Sequence, residues 1–280
     1  MTSVAVAIVT HRNASTIEAC LTSVLASPLV AYVRVVDSAS DDATVAVVAR
    51  IASRDSRVHF IAREENVGFG AGINLAVADL PPSFDDALLV LNPDCEIEPT
   101  QLSALAAIAP AGALVGTALM DDAGVLDGNA RRNDLLFWPT LLRLFGRSSY
   151  QFLLPSDGSA LQRVPAISGA VMWMPLAVFT ALRGFDEGYR LHAEDLDFCV
   201  RARAQGVDVF CANDIVVKHL RSVSSKRRPF FVEWNKHRGL LRYFRTFEGV
   251  HLNFIQRLLV LGGIWARFPV ALARAVMRMR

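Results

Sequence analysis

Three stretches hold the residues best suited to chemistry: Leu91-Asn92-Pro93-Asp94, then His192-Ala193-Glu194-Asp195-Leu196-Asp197, and His219. Asp94 follows an apolar run, Ala87 to Leu91, that reads as a buried strand, and open α/β sheets bind ligands at the carboxyl ends of their strands. A lone carboxylate there suits a magnesium or manganese ion already held by a diphosphate. The second stretch sets three acids within four residues at the start of an expected helix. Their repulsion is hard to explain as packing, and acid chemistry is the better reading. His219 taken alone carries no such signal.

These groups need a scaffold, and the first hundred residues supply its pattern. Apolar runs at Val4 to Thr10, Tyr32 to Asp37, Val58 to Ala62 and Ala87 to Leu91 alternate with helical patterns at Ser15 to Ala26, Asp42 to Ala52 and Gly70 to Asp79. Such alternation predicts βαβ units and a parallel sheet covered on both faces. Ser15 with Glu18, and Asp41 or Asp42, are the expected helix caps, and Pro99 fits a first helical turn. From Asp121 to Arg163 the pattern fails, apart from a helix-like Trp138 to Phe145. Order returns at Val164 to Met174, in a short helix from Pro175, in the acidic helix Ala193 to Ala204 and in a strand at Val207 to Ala212.

Strand ends in such a sheet line a nucleotide crevice, so Thr10, Asp37 and Asp94 are expected to converge there. Asp37 suits a base N–H or a ribose hydroxyl, and Thr10 with Asn13 suits a base edge or a phosphate; capping of their own turns is the competing reading. The run Asn66 to Asn74 holds glycines at 68, 70 and 72, but it follows the third strand. The turn after the first strand has no glycine, which argues against a nicotinamide or flavin protein. These glycines let backbone approach a sugar nucleotide, or let the helix sit close on the sheet. Met172, Trp173 and Met174 read as core, and Arg131 and Arg132 as a lid over phosphates or as ordinary loop charges.

At 280 residues, 52% hydrophobic and 20% charged, the chain is globular and expected to form one large domain with an extension. Its net charge of +2 hides an asymmetry: residues 1–217 carry 15 Lys/Arg against 25 Asp/Glu, and residues 218–280 carry 14 against 2. The basic tail includes an apolar stretch from Leu258 to Met277, interrupted by Gly262-Gly263, Arg267, Pro269 and Arg274. It reads as a poor bilayer span and as a helix lying in a membrane interface, with Trp265 and Phe268 inserted, or as a helix packed on the protein's own core. Nucleic acid is not an expected partner, because the tail is aliphatic rather than polar and aromatic. The start of the sequence shows no signal peptide, and Cys20, Cys95, Cys199 and Cys211 lack zinc spacing and indicate a reducing cytoplasm.

The ordered set of Val9-Thr10, Val36-Asp37 with Ser40-Asp41, the run Glu65 to Ala76, Leu91 to Asp94, Ser168-Gly169-Ala170, Gly184 to Glu187, Glu194 to Asp197 with Arg201 and Gly206, and His219 resembles the inverting family 2 glycosyltransferases of GT-A-type fold, closest to their rhamnosyltransferase-like branch. The resemblance spans residues 4 to 220. It implies an α/β fold with a Rossmann-like, mostly parallel central sheet flanked by helices. It also implies a catalytic domain over 1–220, divided into a nucleotide-binding half (1–98) and an acceptor-binding half (99–220), with a basic, apolar helical extension over 221–280.

By that resemblance Asp94 and His219 bind Mg2+ or Mn2+, Asp195 is the general base, and Thr10, Asn13, Asp37, Asn66, Gly68 and Asn92 face the donor. Ser168, Gly169, His192 and Glu194 face the acceptor. Asn92 stands where the family has a second aspartate, and His11-Arg12 and Ser38 replace its usual Tyr-Asn and Asn. The implied partners are a dTDP- or UDP-linked sugar, rhamnose by preference, and a saccharide or polyprenyl-linked acceptor in cell-surface polysaccharide assembly. The implied place is the cytoplasm, with peripheral contact at the inner face of the plasma membrane; a homodimer is left open. A sugar-nucleotide-binding protein without catalysis and a nucleotidyltransferase are the alternatives.

Overall fold

The computed structural model describes residues 2–220 and 229–277. The boundary expected after residue 220 abuts residues 221–228, which lie outside the described residues. The first half runs β1 (Val4–Thr10), α1 (Ile17–Leu25), β2 (Val30–Ser38), α2 (Thr44–Ala52), β3 (Val58–Arg63), α3 (Phe69–Ala78) and β4 (Ala87–Leu91), as the alternation predicts. These strands lie in the order β3-β2-β1-β4, all parallel. Every residue of β1 and β4 is buried, which is why both read as unbroken apolar runs rather than alternating ones.

Of the expected caps, that of α1 differs and that of α2 is met by Asp42. Helix α1 begins at Ile17 after Thr16, and no side chain caps it; Ser15 lies one residue before the cap position. At α2 the Asp42 carboxylate accepts from the Thr44 N–H at 3.0 Å and from its hydroxyl at 2.5 Å.

The second half continues with β5 (Cys95–Glu96), α4 (Pro99–Ile108), β6 (Leu114–Met120), β7 (Arg131–Arg132), α5 (Phe137–Arg143), β8 (Leu161–Arg163), β9 (Ala166–Ile167), β10 (Val171–Pro175), α6 (Leu176–Ala181), α7 (Glu194–Ala204) and β11 (Val209–His219). Pro99 opens α4 with a reciprocal cap between Glu98 and Gln101. The sheet becomes mixed here: β10 runs antiparallel to β4 and β6, while β11 is parallel to β6 and antiparallel to β5 and β8. The expected ordered segment Val164 to Met174 therefore divides into two strands, and β9 leaves the main sheet to pair with β7. Met172, Trp173 and Met174 are core residues, as read.

Strand β11 runs seven residues beyond the expected end at Ala212. A break in register between Ala212 and Val216 absorbs Asn213-Asp214-Ile215 as a bulge, and the strand resumes beside β6. That resumption carries His219 into a pair with Cys95 of β5.

Helices α8 (Pro229–Tyr243) and α9 (Phe254–Met277) complete the molecule. They pack on each other, and α9 also packs on α5. Val260 and Ile264 of α9 are buried with Phe244, and Phe268 sits edge-on to Trp234 and His237. Phe254, Ile255, Leu258 and Leu259 on the same helix stay exposed. Its 24 residues meet the length and composition of a membrane span, although Arg257, Arg267, Arg274 and Pro269 interrupt it.

Candidate active site

The sheet topology brings distant residues together through backbone pairing. Because β4 and β10 are antiparallel with Leu91 opposite Val171, the turn after β4 meets the turn before β10, and the Asn92 N–H donates to the Ala170 carbonyl at 2.9 Å. One residue earlier, the Gly169 N–H donates to Asp195 Oδ2 at 3.0 Å. On the other flank, β5–β11 pairing sets His219 Nε2 3.3 Å from Asp94 Oδ1, and the Leu220 N–H donates to the Asp94 carbonyl at 2.9 Å. Asp94 and Asp195, a hundred positions apart, are thus joined through two short backbone links. A cavity of about 720 Å³ lies there, lined by Asn92 and His219 on one side and by Ser168, Gly169, His192, Glu194 and Asp195 on the other.

Asp195 stands in the first turn of α7, its side chain partly buried. Oδ2 also accepts from Arg132 Nη2 at 2.7 Å, and Oδ1 accepts from the Leu196 N–H at 2.8 Å. Burial pushes this carboxyl up. The Arg132 guanidinium and the two N–H donors outweigh burial and hold it below the usual aspartate value. Glu194 goes the other way: burial first, then the charge of Asp195, raise it to about 8. The adjacent acids therefore separate into one ionised and one protonated carboxyl near neutral pH, the pattern of a site that divides acid from base. Asp197 is structural, paired with Arg201 at 2.5 Å along the helix.

Arg132 corrects the reading of the irregular segment. Neither Arg131 nor Arg132 is a lid or an exposed loop charge: both are buried in β7, where Arg131 donates to Asn213 and Arg132 to Asp195 and the Ile167 carbonyl. Lys236 and Leu240 of α8 and Arg267 of α9 also line the cavity, so the C-terminal helices wall the site rather than standing apart from it. Nothing in their sequence marks them, since they look like charges on an amphipathic helix.

The turn before α7 is strained. His192 and Ala193 both adopt left-handed backbone, at φ 66° and 73°, which costs about 1–3 kcal/mol per non-glycine residue. His192 is exposed at the surface, and crowding of its ring by protein, then Lys236, lowers the imidazole. It is neutral at physiological pH.

Asp94 and His219, with Cys95, bring three potential ligand atoms within 4.8 Å of one another. Burial and the charge of Asp94 push the Cys95 thiol well above its usual value, and its Sγ contacts the Ala170 carbonyl. A neutral thiol is a poor partner for a hard cation. The carboxylate and the imidazole remain, with His219 Nδ1 buried and without a hydrogen-bond partner among the described residues. One oxygen and one nitrogen donor, completed by diphosphate oxygens, fit Mg2+ or Mn2+.

The remaining expected donor residues form two further groups, neither of which lines this cavity. Thr10 and Asp37 are side by side in register at the ends of β1 and β2. Asp37 accepts from the Ser40 N–H at 2.8 Å and from the Ser40 hydroxyl, while Thr10 donates to Asn13 Oδ1 at 3.2 Å, so the capping reading holds as well. Asn66 accepts from the Gly68 N–H at 3.0 Å, and Gly68 (φ 85°) presses on the Arg190 carbonyl, which a Cβ would meet at 2.8 Å. A Cβ at Gly72 would meet Val9 at 2.5 Å, so that glycine serves close helix–sheet packing.

Residues 5–160 match the family model described as glycosyl transferase family 2. The chain is 27% identical over 247 residues to the N-acetylglucosaminyl-diphospho-decaprenol L-rhamnosyltransferase of Mycobacterium tuberculosis, covering 79% of this chain and 77% of that one. It is 22% identical over 213 residues to the low-salt glycan biosynthesis hexosyltransferase Agl10 of Haloferax volcanii, covering 75% and 62%. Among solved structures, GalNAc-T7 with UDP, GalNAc and Mn2+ superposes with a TM-score of 0.65 at 15% identity, covering 88% of this chain and 48% of that one. The mannosyltransferase PcManGT of Pyrobaculum calidifontis, with GDP-Man and Mn2+, superposes with a TM-score of 0.60 at 17% identity, covering 99% and 73%.

Proposed function

The chain belongs to glycosyl transferase family 2, and on that premise we propose that it is a metal-dependent, inverting rhamnosyltransferase acting on a saccharide carried by a polyprenyl diphosphate. A sugar transferase is what membership implies; the nucleotidyltransferase alternative gives way to it. Rhamnose and the lipid-linked acceptor are supported by the likeness to the Mycobacterium tuberculosis L-rhamnosyltransferase, whose name carries both. The observation that carries the reading is the single cavity lined by Asn92 and His219 on one wall and Asp195 on the other.

In this reading the donor, a dTDP- or UDP-linked sugar, runs from the β1 and β2 ends at Thr10, Asn13 and Asp37 to the turn at Asn92, with Asn66 and Gly68 flanking it. Asp94 and His219 would hold Mg2+ or Mn2+, whose positive charge would stabilise the departing diphosphate. The acceptor hydroxyl lies against Asp195, which takes its proton as the acceptor oxygen bonds to the anomeric carbon. The bond from that carbon to the diphosphate oxygen breaks on the opposite face, so the configuration inverts.

Arg132 keeps Asp195 ionised and pointed into the cavity, and proton transfer to so weak a base occurs late along the reaction. Protonated Glu194 and neutral His192 hydrogen-bond the acceptor beside Ser168 and Gly169. The exposed apolar face of α9 and the basic segment 218–280 hold the enzyme at the inner face of the membrane, where a lipid-borne acceptor is met.

Asp195→Asn keeps the size and most hydrogen bonds of the side chain while removing the base. With dTDP-rhamnose and N-acetylglucosaminyl diphosphate on a farnesyl chain, this variant is expected to lose about 10²- to 10⁴-fold in kcat. Calorimetric affinity for the donor in Mn2+ is expected to stay within about twofold. Full turnover in Asp195→Asn would overturn the base assignment.

A further inference from the structure

An apolar groove of about 410 Å³ opens between α5, α8 and α9. Leu141, Val260, Gly263 and Ile264 form its body, and apart from Thr140 and Arg267 every lining residue is apolar. It is continuous with the catalytic cavity, because Leu135, Leu240 and Arg267 line both. Lys236 lines the catalytic cavity near that junction; burial lowers its ammonium, Glu233 opposes that, and Arg267 is close enough for its charge to add to the lowering. At the groove's edge Leu144, one of its lining residues, is exposed, and beyond it Phe145 just after α5 and Leu258 and Leu259 on α9 are exposed as well.

We propose that this groove binds the first isoprene units of the acceptor's lipid tail, with Lys236 and Arg267 gripping the diphosphate that joins tail to saccharide. The proposal rests on the acceptor class given above. Its support is the order of chemistry along one continuous depression: the carboxylates around Asp195, then two cations, then an aliphatic trough, then exposed apolar side chains. A saccharide-diphosphate-prenyl molecule presents the same sequence of polar, anionic and apolar parts. The groove is of the size that buries an apolar molecule of drug-like dimensions, so it holds the start of a long tail while the rest continues into lipid. A lone apolar trough would suit many ligands; the cationic junction selects an anionic amphiphile.

Gly263 provides a clean probe, because a Cβ there meets nothing within 4 Å and enters the groove, whereas the equally open Gly262 beside it is outside the lining. Both lie in α9, where any other residue favours the helix, so Gly263→Phe and Gly262→Phe both fold. The measurement is the ratio of kcat/KM for N-acetylglucosaminyl diphosphate bearing a farnesyl chain to that for the same headgroup bearing a methyl group. The native enzyme and Gly262→Phe are expected to prefer the farnesyl acceptor at least tenfold, and Gly263→Phe to lose that preference.

Calorimetric binding of farnesyl diphosphate, which needs no turnover, is expected to weaken at least tenfold in Gly263→Phe. Transfer to the farnesyl acceptor with the same preference in Gly263→Phe would overturn the groove while leaving the transfer reading intact. Loss of farnesyl diphosphate binding in Gly263→Phe, with no sugar transferred to either acceptor, would support the groove and refute the transfer reading.

Discussion

Arg132 decides which of two adjacent carboxyls carries charge, and a pH profile reads that decision out. Its guanidinium offsets the burial of Asp195, so replacement by glutamine lets burial prevail and raises the Asp195 carboxyl. A base protonated at higher pH stays idle at higher pH. The acidic limb of kcat/KM in Arg132→Gln is therefore expected to move upward by a unit or more, with about 3–5 kcal/mol of stability lost through the uncompensated buried charge. An unmoved limb would show that Arg132 does not tune the base. Asp195 was legible in the sequence because three crowded acids need a reason, and Asp94 because it closes a buried strand. Arg132 was not, since a pair of arginines in a turn-rich stretch carries no mark of the β7–β9 pairing that buries it.

At the scale of elements, α8 clamps the strained turn that leads into α7. Gly239 approaches so closely that a Cβ would stand 2.8 Å from the His192 carbonyl. Gly239→Ala is therefore expected to push back the turn holding His192, Ala193 and Glu194, costing about 1–3 kcal/mol by thermal melting and roughly 10- to 100-fold in kcat. Intact turnover would mean the turn yields without consequence. The βαβ half was readable because buried parallel strands are short apolar runs between capped helices. The second half was harder, for its strands are only two to five residues long except β6 and β11, and Asn213-Asp214 reads as a strand end although it opens a bulge. That bulge matters, because without the four residues after it His219 would never reach Asp94.

At the scale of the whole molecule, one site is built from both ends of the chain: the βαβ half supplies Asn92 and Asp94, the middle Arg132 and Asp195, and the C-terminal helices Lys236 and Arg267. The sharp charge division between residues 1–217 and 218–280 suggested a separate basic appendage, yet α8 and α9 wall the cavity and carry the apolar groove away from it. The central claim is that a cation at Asp94 and His219 and a base at Asp195 flank one bound sugar. A crystal of the protein with dTDP-rhamnose and Mn2+, measured at the manganese absorption edge, tests it directly. The account predicts an anomalous peak bonded to Asp94, His219 and the diphosphate, with the anomeric carbon facing Asp195; a peak elsewhere, or a sugar turned away from Asp195, would contradict it.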